Sequence, residues 1–201
     1  IPKHNSNSHC TVFYMHKPDV WKRVSSEQIA DCRVFRVCQD FCVRDSDGKS
    51  SDFFVVESPD WVNIIALNKA DEAVLIEQYR QGTEEITLEL PGGMVDAGEQ
   101  PDTAAKRELL EETGYSSDRW TLLGKSHPNA AIQSNTIYHY LAIDCEKTAE
   151  TAFDEHESIV TTILGRRYAS VRSPILSSLR RFIICHFCRP GKYPLVVYVT
   201  L

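Results

Sequence analysis

GGMVDAGEQPDTAAKRELLEETGY, residues 92–115, is the stretch around which the rest of the chain is arranged. A glycine-rich turn leads into a segment with helix signals at both ends. Pro101 suits a first helical turn, where the missing N–H is no loss, and Gly114 suits the position just past a helix end. At roughly 100° per residue, Glu108, Glu111 and Glu112 project within an arc of about 100° centred near Ala104. Carboxylates at i, i+3 and i+4 repel one another, and in the last turns they face the negative end of the helix dipole. Two readings follow: a solvated acidic face, the common meaning of a charge run, or a site for divalent cations. The second is favoured, because the acids oppose local stability beside a turn that is itself specialised.

Working outward, Trp61–Leu67 (WVNIIAL) and Glu72–Gln78 (EAVLIEQ) are nearly continuous apolar runs, the pattern of strands covered on both faces. Thr87–Leu90 continues as a strand into the glycine turn. Trp120–Leu123, Thr136–Ile143 and Ser158–Leu164 read as further strands, with loops at 125–134 and 146–156. Upstream, Arg33–Cys38, Phe41–Arg44 and Ser51–Glu57 alternate as short strands around a turn at Asp45–Gly48, a small antiparallel sheet ending at Pro59-Asp60. Residues 173–187 have amphipathic helical spacing, with Ile175, Leu179, Phe182 and Ile183 on one face. The final run, Tyr193–Leu201 (YPLVVYVTL), is β-prone and apolar, a pairing hazard if exposed.

Composition narrows the class. The chain has 201 residues, is 42% hydrophobic and 25% charged, and has a formal charge of −6. That size buries a sizeable core, and the acidic balance argues against extended nucleic acid as a partner. No apolar run reaches membrane-spanning length, and the opening IPKHNSNSHC carries no signal-peptide pattern. Seven cysteines without framework spacing fit reduced thiols and a cytoplasmic location. A zinc site from Cys38, Cys42, Cys185 and Cys188 is the less favoured reading beside buried thiols behaving as small hydrophobes.

As a spacing pattern, the central stretch is Gly93, five residues, Glu99, seven residues, then Arg107-Glu-Leu-Leu-Glu-Glu-Thr-Gly-Tyr115. This resembles, without gap or substitution, the signature of the Nudix hydrolases, which cleave nucleoside diphosphates linked to another moiety. The flanks Asp60–Leu67, Leu75–Arg80 and Glu89–Glu99 resemble the ADP-ribose pyrophosphatase branch, and the likeness covers about residues 21–165. It implies an α/β Nudix fold: a mixed β-sheet sandwiched between helices and preceded by a small antiparallel N-terminal sheet. The expected division is 1–58 for the tail and small sheet, 59–165 for the Nudix domain, and 166–201 for a divergent C-terminal helix and tail. The resemblance also implies a homodimer through the N-terminal sheet.

The implied reaction is hydrolysis of ADP-ribose or a related nucleoside diphosphate sugar to a nucleoside monophosphate and a sugar phosphate, with Mg²⁺ as cofactor and Mn²⁺ as a substitute. Hard cations prefer carboxylate and water oxygens and sit well beside substrate phosphates. By resemblance, Glu108 and Glu112 lead as metal ligands, joined by the Gly92 carbonyl and by Glu111, which is also expected among the catalytic residues. Gly93 and Glu99 support the turn. Arg107 is either an organiser pairing with Glu99 or Glu111, the favoured reading, or a participant in catalysis. A water-activating glutamate is expected after the helix, with Glu157 first and Glu155 second within Asp154-Glu-His-Glu157; a solvated acidic loop is the equal alternative. Arg80, Glu89 and Pro128 are the expected substrate contacts. Trp21 and Phe35 are read first as core aromatics and second as an adenine wall supplied across a dimer.

Two regions depart from the branch. Pro128 lies nearer to the acidic helix than in related sequences, and no arginine stands beside Thr136. The C-terminal segment is Ser/Arg-rich before the apolar tail. Two other functions therefore stand beside the first. One is a module that senses ADP-ribose without cutting it. The other is a hydrolase for NADH, FAD, GDP-mannose, a dinucleoside polyphosphate or an RNA cap.

Overall fold

The computed structural model describes residues 17–153, 158–165, 182–188 and 194–200. Three antiparallel strands come first: β1 (Trp21–Asp31), β2 (Arg36–Arg44) and β3 (Ser50–Glu57), in the order β1-β2-β3. The sheet was expected, but its strands are longer and differently bounded. Arg33–Phe35, read as the start of a strand, lies in a turn in which Arg33 adopts φ 67° and its N–H bonds to the Asp31 carboxylate. β2 runs unbroken through Gln39 and Asp40, because Asp40 sits on the same face as buried Cys38 and Cys42 and is ion-paired to Arg23 across the ladder.

The larger sheet is mixed. It contains β4 (Trp61–Asn68), β5 (Ala73–Arg80), β6 (Glu85–Glu89), β7 (Gly92–Met94), β8 (Tyr115–Ser116), β9 (Arg119–Ser126), β10 (Ile137–Lys147) and β11 (Ile159–Leu164). Its main path is β11-β5-β4-β10-β8, with β6 on β5, β7 on β4 and β9 on β10. Only β4 and β10 run parallel; the other pairs are antiparallel.

β4 shows why its apolar run is continuous. Val62, Ile64 and Ala66 pack on one face with Ala104, Ala105 and Leu109 of helix α1 (Pro101–Thr113). Ile65 turns to the other face, among Leu75, Leu88, Leu90 and Leu164. Both faces are therefore apolar, as expected of a central strand. α1 is the one helix among the described residues. It starts at Pro101 and ends on Gly114 at φ 73°, where the N–H of Gly114 donates to Leu110 O at 2.8 Å. A left-handed residue of this kind is the common helix stop, and a Cβ here would also lie 2.2 Å from Ala149 O.

The C-terminal helix expected over 173–187 is corrected at its far end. Phe182–Cys188 is strand β12, paired antiparallel with β13 (Pro194–Thr200). Its β-branched and aromatic residues suit a ladder, and the apolar tail supplies the second strand. Residues 173–181 lie outside the described residues. No helix among the described residues is long and apolar enough to cross a membrane.

Leu109 joins α1 to the sheet and is fully buried. Leu109→Ala is expected to cost about 2–5 kcal/mol through lost burial and a residual cavity, read as a lower midpoint in urea unfolding.

Candidate active site

Two glycines set the site, each for a steric reason. β7 lies against β4 with Gly92 opposite Asn63 and Gly93 opposite Val62. A Cβ on Gly92 would fall 2.1 Å from Val62 O, and one on Gly93 would fall 2.3 Å from Glu108 Oε1. The first glycine lets the turn meet the strand, and the second leaves room for a carboxylate. What the glycines avoid here is β4 and the helix acid.

α1 brings its acids to this turn. Glu112 is 4% exposed and accepts the Gly92 N–H at 2.8 Å. The Glu108 side chain is 14% exposed and the Glu111 side chain 42%. A solvated acidic face therefore describes Glu111 alone. Burying carboxylates costs free energy unless donors meet them, and here the donor is largely Arg107. Its Nε and one terminal nitrogen bond to both oxygens of Glu99, at 3.1 and 2.9 Å. The other terminal nitrogen bonds to Glu108 at 2.9 Å and Glu111 at 3.1 Å, and the guanidinium also reaches Met94 O at 3.0 Å. Both partners weighed for Arg107, Glu99 and Glu111, are thus engaged together. The hydrogen bonds to Glu99, then the charge of Glu108 and the hydrogen bonds to Glu111 and Glu108, raise the guanidinium above its ordinary pKa despite partial burial. The same bonds from Arg107, helped by the Asp96 N–H at 3.1 Å, hold the Glu99 carboxyl below its ordinary value.

Arg80 of β5 reaches along the ladder to Glu89 of β6, for the register sets Arg80 opposite Glu85 and Glu89 opposite Ile76. The guanidinium forks onto the carboxylate at 2.8 and 2.6 Å, and the Thr87 hydroxyl donates to the same group. Burial pushes the Glu89 carboxyl up, but the bonds from Arg80 and Thr87 outweigh it, leaving the group below its ordinary pKa. Arg80 is a half-exposed cation with a fixed fork.

The other expected positions fall differently. Pro128 is half-buried in the loop between β9 and β10. That loop is bound to the end of β3: Val56 N donates to Ile132 O at 2.7 Å, and Ser134 N donates to Val56 O at 3.2 Å. Trp21 and Phe35, read first as core aromatics, are 36% and 37% exposed. Trp21 meets Phe53 edge-on at 5.1 Å, at the surface of a three-stranded sheet with too few residues to enclose it. Cys38 and Cys42 are buried free thiols, and no cluster of three or more His, Cys, Asp or Glu with metal-holding geometry occurs among the described residues. Glu155 and Glu157 lie outside the described residues. The chain before them is fastened to the helix end, where Ala152 N donates to Glu111 O at 2.9 Å.

One residue at this junction was legible only as a boundary. Asp60 accepts the Thr136 N–H on Oδ1 at 2.7 Å and the Val95 N–H on its own carbonyl at 2.8 Å. Its signal in the sequence is slight, a single acid before an apolar strand.

Comparison with known proteins agrees with this architecture. A family model described as the NUDIX domain matches residues 58–168, and the chain belongs to that family. It is a Nudix hydrolase by family, with the glycine turn hydrogen-bonded to the acidic helix. It is 32% identical over 139 residues to a methanol dehydrogenase activator of Bacillus methanolicus, covering 69% of this chain and 75% of that protein. It is 28% identical over 142 residues to an ADP-ribose pyrophosphatase of Bacillus subtilis, with the same two coverages. A crystal structure of an ADP compounds hydrolase superposes with a TM-score of 0.65 at 25% identity, covering 81% of this chain and 85% of that one.

The Glu99–Arg107 pair predicts a pH dependence. A carboxyl held below its unfolded pKa stabilises the fold at pH above about 4.3 and loses that contribution as pH falls through the folded value. The gap in Tm between the wild type and Glu99→Gln is therefore expected to be full at pH 7 and to close on acidification below the ordinary glutamate range. Thermal melts across that range check it.

Proposed function

We propose that this chain hydrolyses the diphosphate of ADP-ribose or a related nucleoside diphosphate sugar, with Mg²⁺ as its cation and Mn²⁺ as a substitute. Water adds to one phosphorus, the bridging P–O bond breaks, and the products are AMP and a sugar phosphate. The observation that carries the reading is the Glu108, Glu111 and Glu112 cluster, arranged by one arginine against a glycine turn. The names of the relatives direct the substrate class.

The donor chemistry suits a divalent ion, with Arg107 standing between the acids where they are not yet gathered into metal-holding geometry. Glu108 and Glu111 each lie within 3.1 Å of the same Arg107 nitrogen, and Gly93 leaves open the space beside Glu108 that a Cβ would fill. Oxygen donors of this kind suit hard cations. Glu108, Glu111, Glu112 and the Gly92 carbonyl would hold the metal, which when bound neutralises the diphosphate and makes a coordinated water more acidic.

The protein groups divide the remaining work. Arg107 restrains Glu108 and Glu111 so that their oxygens converge, and Glu99 keeps Arg107 in place. Arg80, set by Glu89, offers a planar fork to phosphate oxygens. A cavity of about 400 Å³ at the end of the small sheet, lined by Val34, Phe35, Arg36, Glu57, Ser58 and Pro59 among others, supports a nucleoside moiety there. Pro128 shapes the opposite loop. Glu157, or Glu155, accepts the proton of the attacking water. This last assignment is supported by the anchored segments on either side, at Ala152 and Ile159.

The three-stranded sheet supports a homodimer. Val24, Ile29, Phe41, Phe53 and Phe54 are exposed on it, more apolar surface than one small sheet normally leaves in water. Free thiols at Cys32, Cys38, Cys42 and Cys145 support a cytoplasmic setting.

Incubation with ADP-ribose and Mg²⁺ is expected to release AMP, and EDTA to stop it until Mg²⁺ or Mn²⁺ is restored. Glu112→Gln keeps an oxygen to accept the Gly92 N–H, so it is expected to stay folded while kcat falls by more than about a hundredfold. Release of AMP at an undiminished rate by that variant would remove the acidic helix from the chemistry. Intact substrate under all these conditions would favour a sensing module instead.

Sedimentation velocity tests the assembly: twice the 22.8 kDa chain mass is expected for the wild type, and a monomer for Phe41→Asp combined with Phe54→Asp. A monomeric wild type at micromolar concentration would end the dimer proposal.

A further inference from the structure

We propose that Asp60 is a positioning residue that couples the loop at 127–136 to the glycine turn, so that substrate fit and the acidic helix are linked through one residue. The proposal rests on the hydrolase reading above. Asp60 lies in the short link between the two sheets, and three different surfaces meet at it.

On one side, the residues just before it, Glu57, Ser58 and Pro59, form part of the cavity wall. On the second side, Asp60 Oδ1 accepts the Thr136 N–H at 2.7 Å, and the next residue, Trp61, donates its N–H to Thr136 O at 2.9 Å. The end of the loop is thereby held from both its donor and its acceptor. On the third side, the Asp60 carbonyl accepts the Val95 N–H at 2.8 Å. Val95 stands between Met94, whose carbonyl binds Arg107, and Asp96, whose N–H binds Glu99. Two hydrogen bonds therefore separate the loop from the turn, with Asp60 common to both.

The chemistry of the residue suits the task. A carboxylate is a stronger acceptor for a backbone N–H than a neutral group, and an acid at this point reaches Thr136 across a sequence separation of 76 residues. Among the described residues no other side chain accepts that N–H. Removing the carboxylate takes the acceptor from the Thr136 N–H, leaves the Trp61 N–H on Thr136 O, and loosens the link that carries the Val95 acceptor. A merely structural role would lower the amount of active protein without changing how substrate binds.

Wild type, Asp60→Ala and Asp60→Asn are compared as full chains, by steady-state kinetics with ADP-ribose and Mg²⁺ and by amide hydrogen exchange. In Asp60→Ala, KM is expected to rise about tenfold while kcat stays within about threefold. Asp60→Asn keeps an acceptor oxygen and is expected to recover most of the loss. Exchange at the Thr136 and Val95 amides is expected to accelerate together in the alanine variant. An unchanged KM with reduced kcat would overturn the proposal, as would faster exchange at Thr136 with Val95 unmoved. Should the alanine variant fail to fold, Asp60→Ser, whose hydroxyl is too short to keep the bond, takes its place under the same criteria. If the wild type releases no AMP, the hydrolase reading fails, and the exchange pair still decides the coupling by the same two outcomes.

Discussion

Everything in the site depends on one guanidinium. Arg107 stands among Glu99, Glu108 and Glu111, with Met94 O as a fourth acceptor. Without it, α1 would carry several like charges on adjoining turns, two of them withdrawn from water, and its remaining cation, Lys106, is paired with Asp102. The last turn of α1 contains no basic residue. Local helix energetics alone would not select this segment. The planar fork converts mutual repulsion into a fixed constellation, at the expense of one cation committed to structure.

The glycine turn supplies the other half of the constraint. Because β7 pairs with β4 through Gly92, and Gly92 N–H holds Glu112, the sheet and the acidic helix share one register. The fully buried residues Val62, Ile64 and Leu109 press the same two elements together from within. Core packing and site geometry are thus two views of the same contact. A change in how α1 sits on β4 alters both.

Much of this was legible in the sequence because the signals were local. Pro101 and Gly114 mark the ends of the helix through backbone rules that need no tertiary information. The runs at 61–67 and 72–78 announce central strands by their continuous apolarity. What escaped was set by distant partners. Nothing local in Phe182–Cys188 distinguishes an amphipathic helix from a strand; the pairing with Pro194–Thr200 decides it. The length of β1 depends on a ladder with β2. The withdrawal of Glu112 from solvent depends on an N–H that lies 20 positions earlier in the chain. Asp60 is the sharpest case, because its two acceptors serve segments far ahead of it, and no spacing rule joins them.

The parallel bridge between Val56 and Gln133 carries a consequence for where the family domain truly ends. The family match begins at residue 58, yet the loop at 132–134 closes its backbone hydrogen bonds on Val56, outside that span. A chain trimmed to the matched boundary would leave the Ile132 carbonyl and the Ser134 N–H without those partners. The hydrogen-bonded unit is therefore larger than the unit of ancestry. The small sheet is less an appended module than the scaffold from which the catalytic domain borrows one of its own loops.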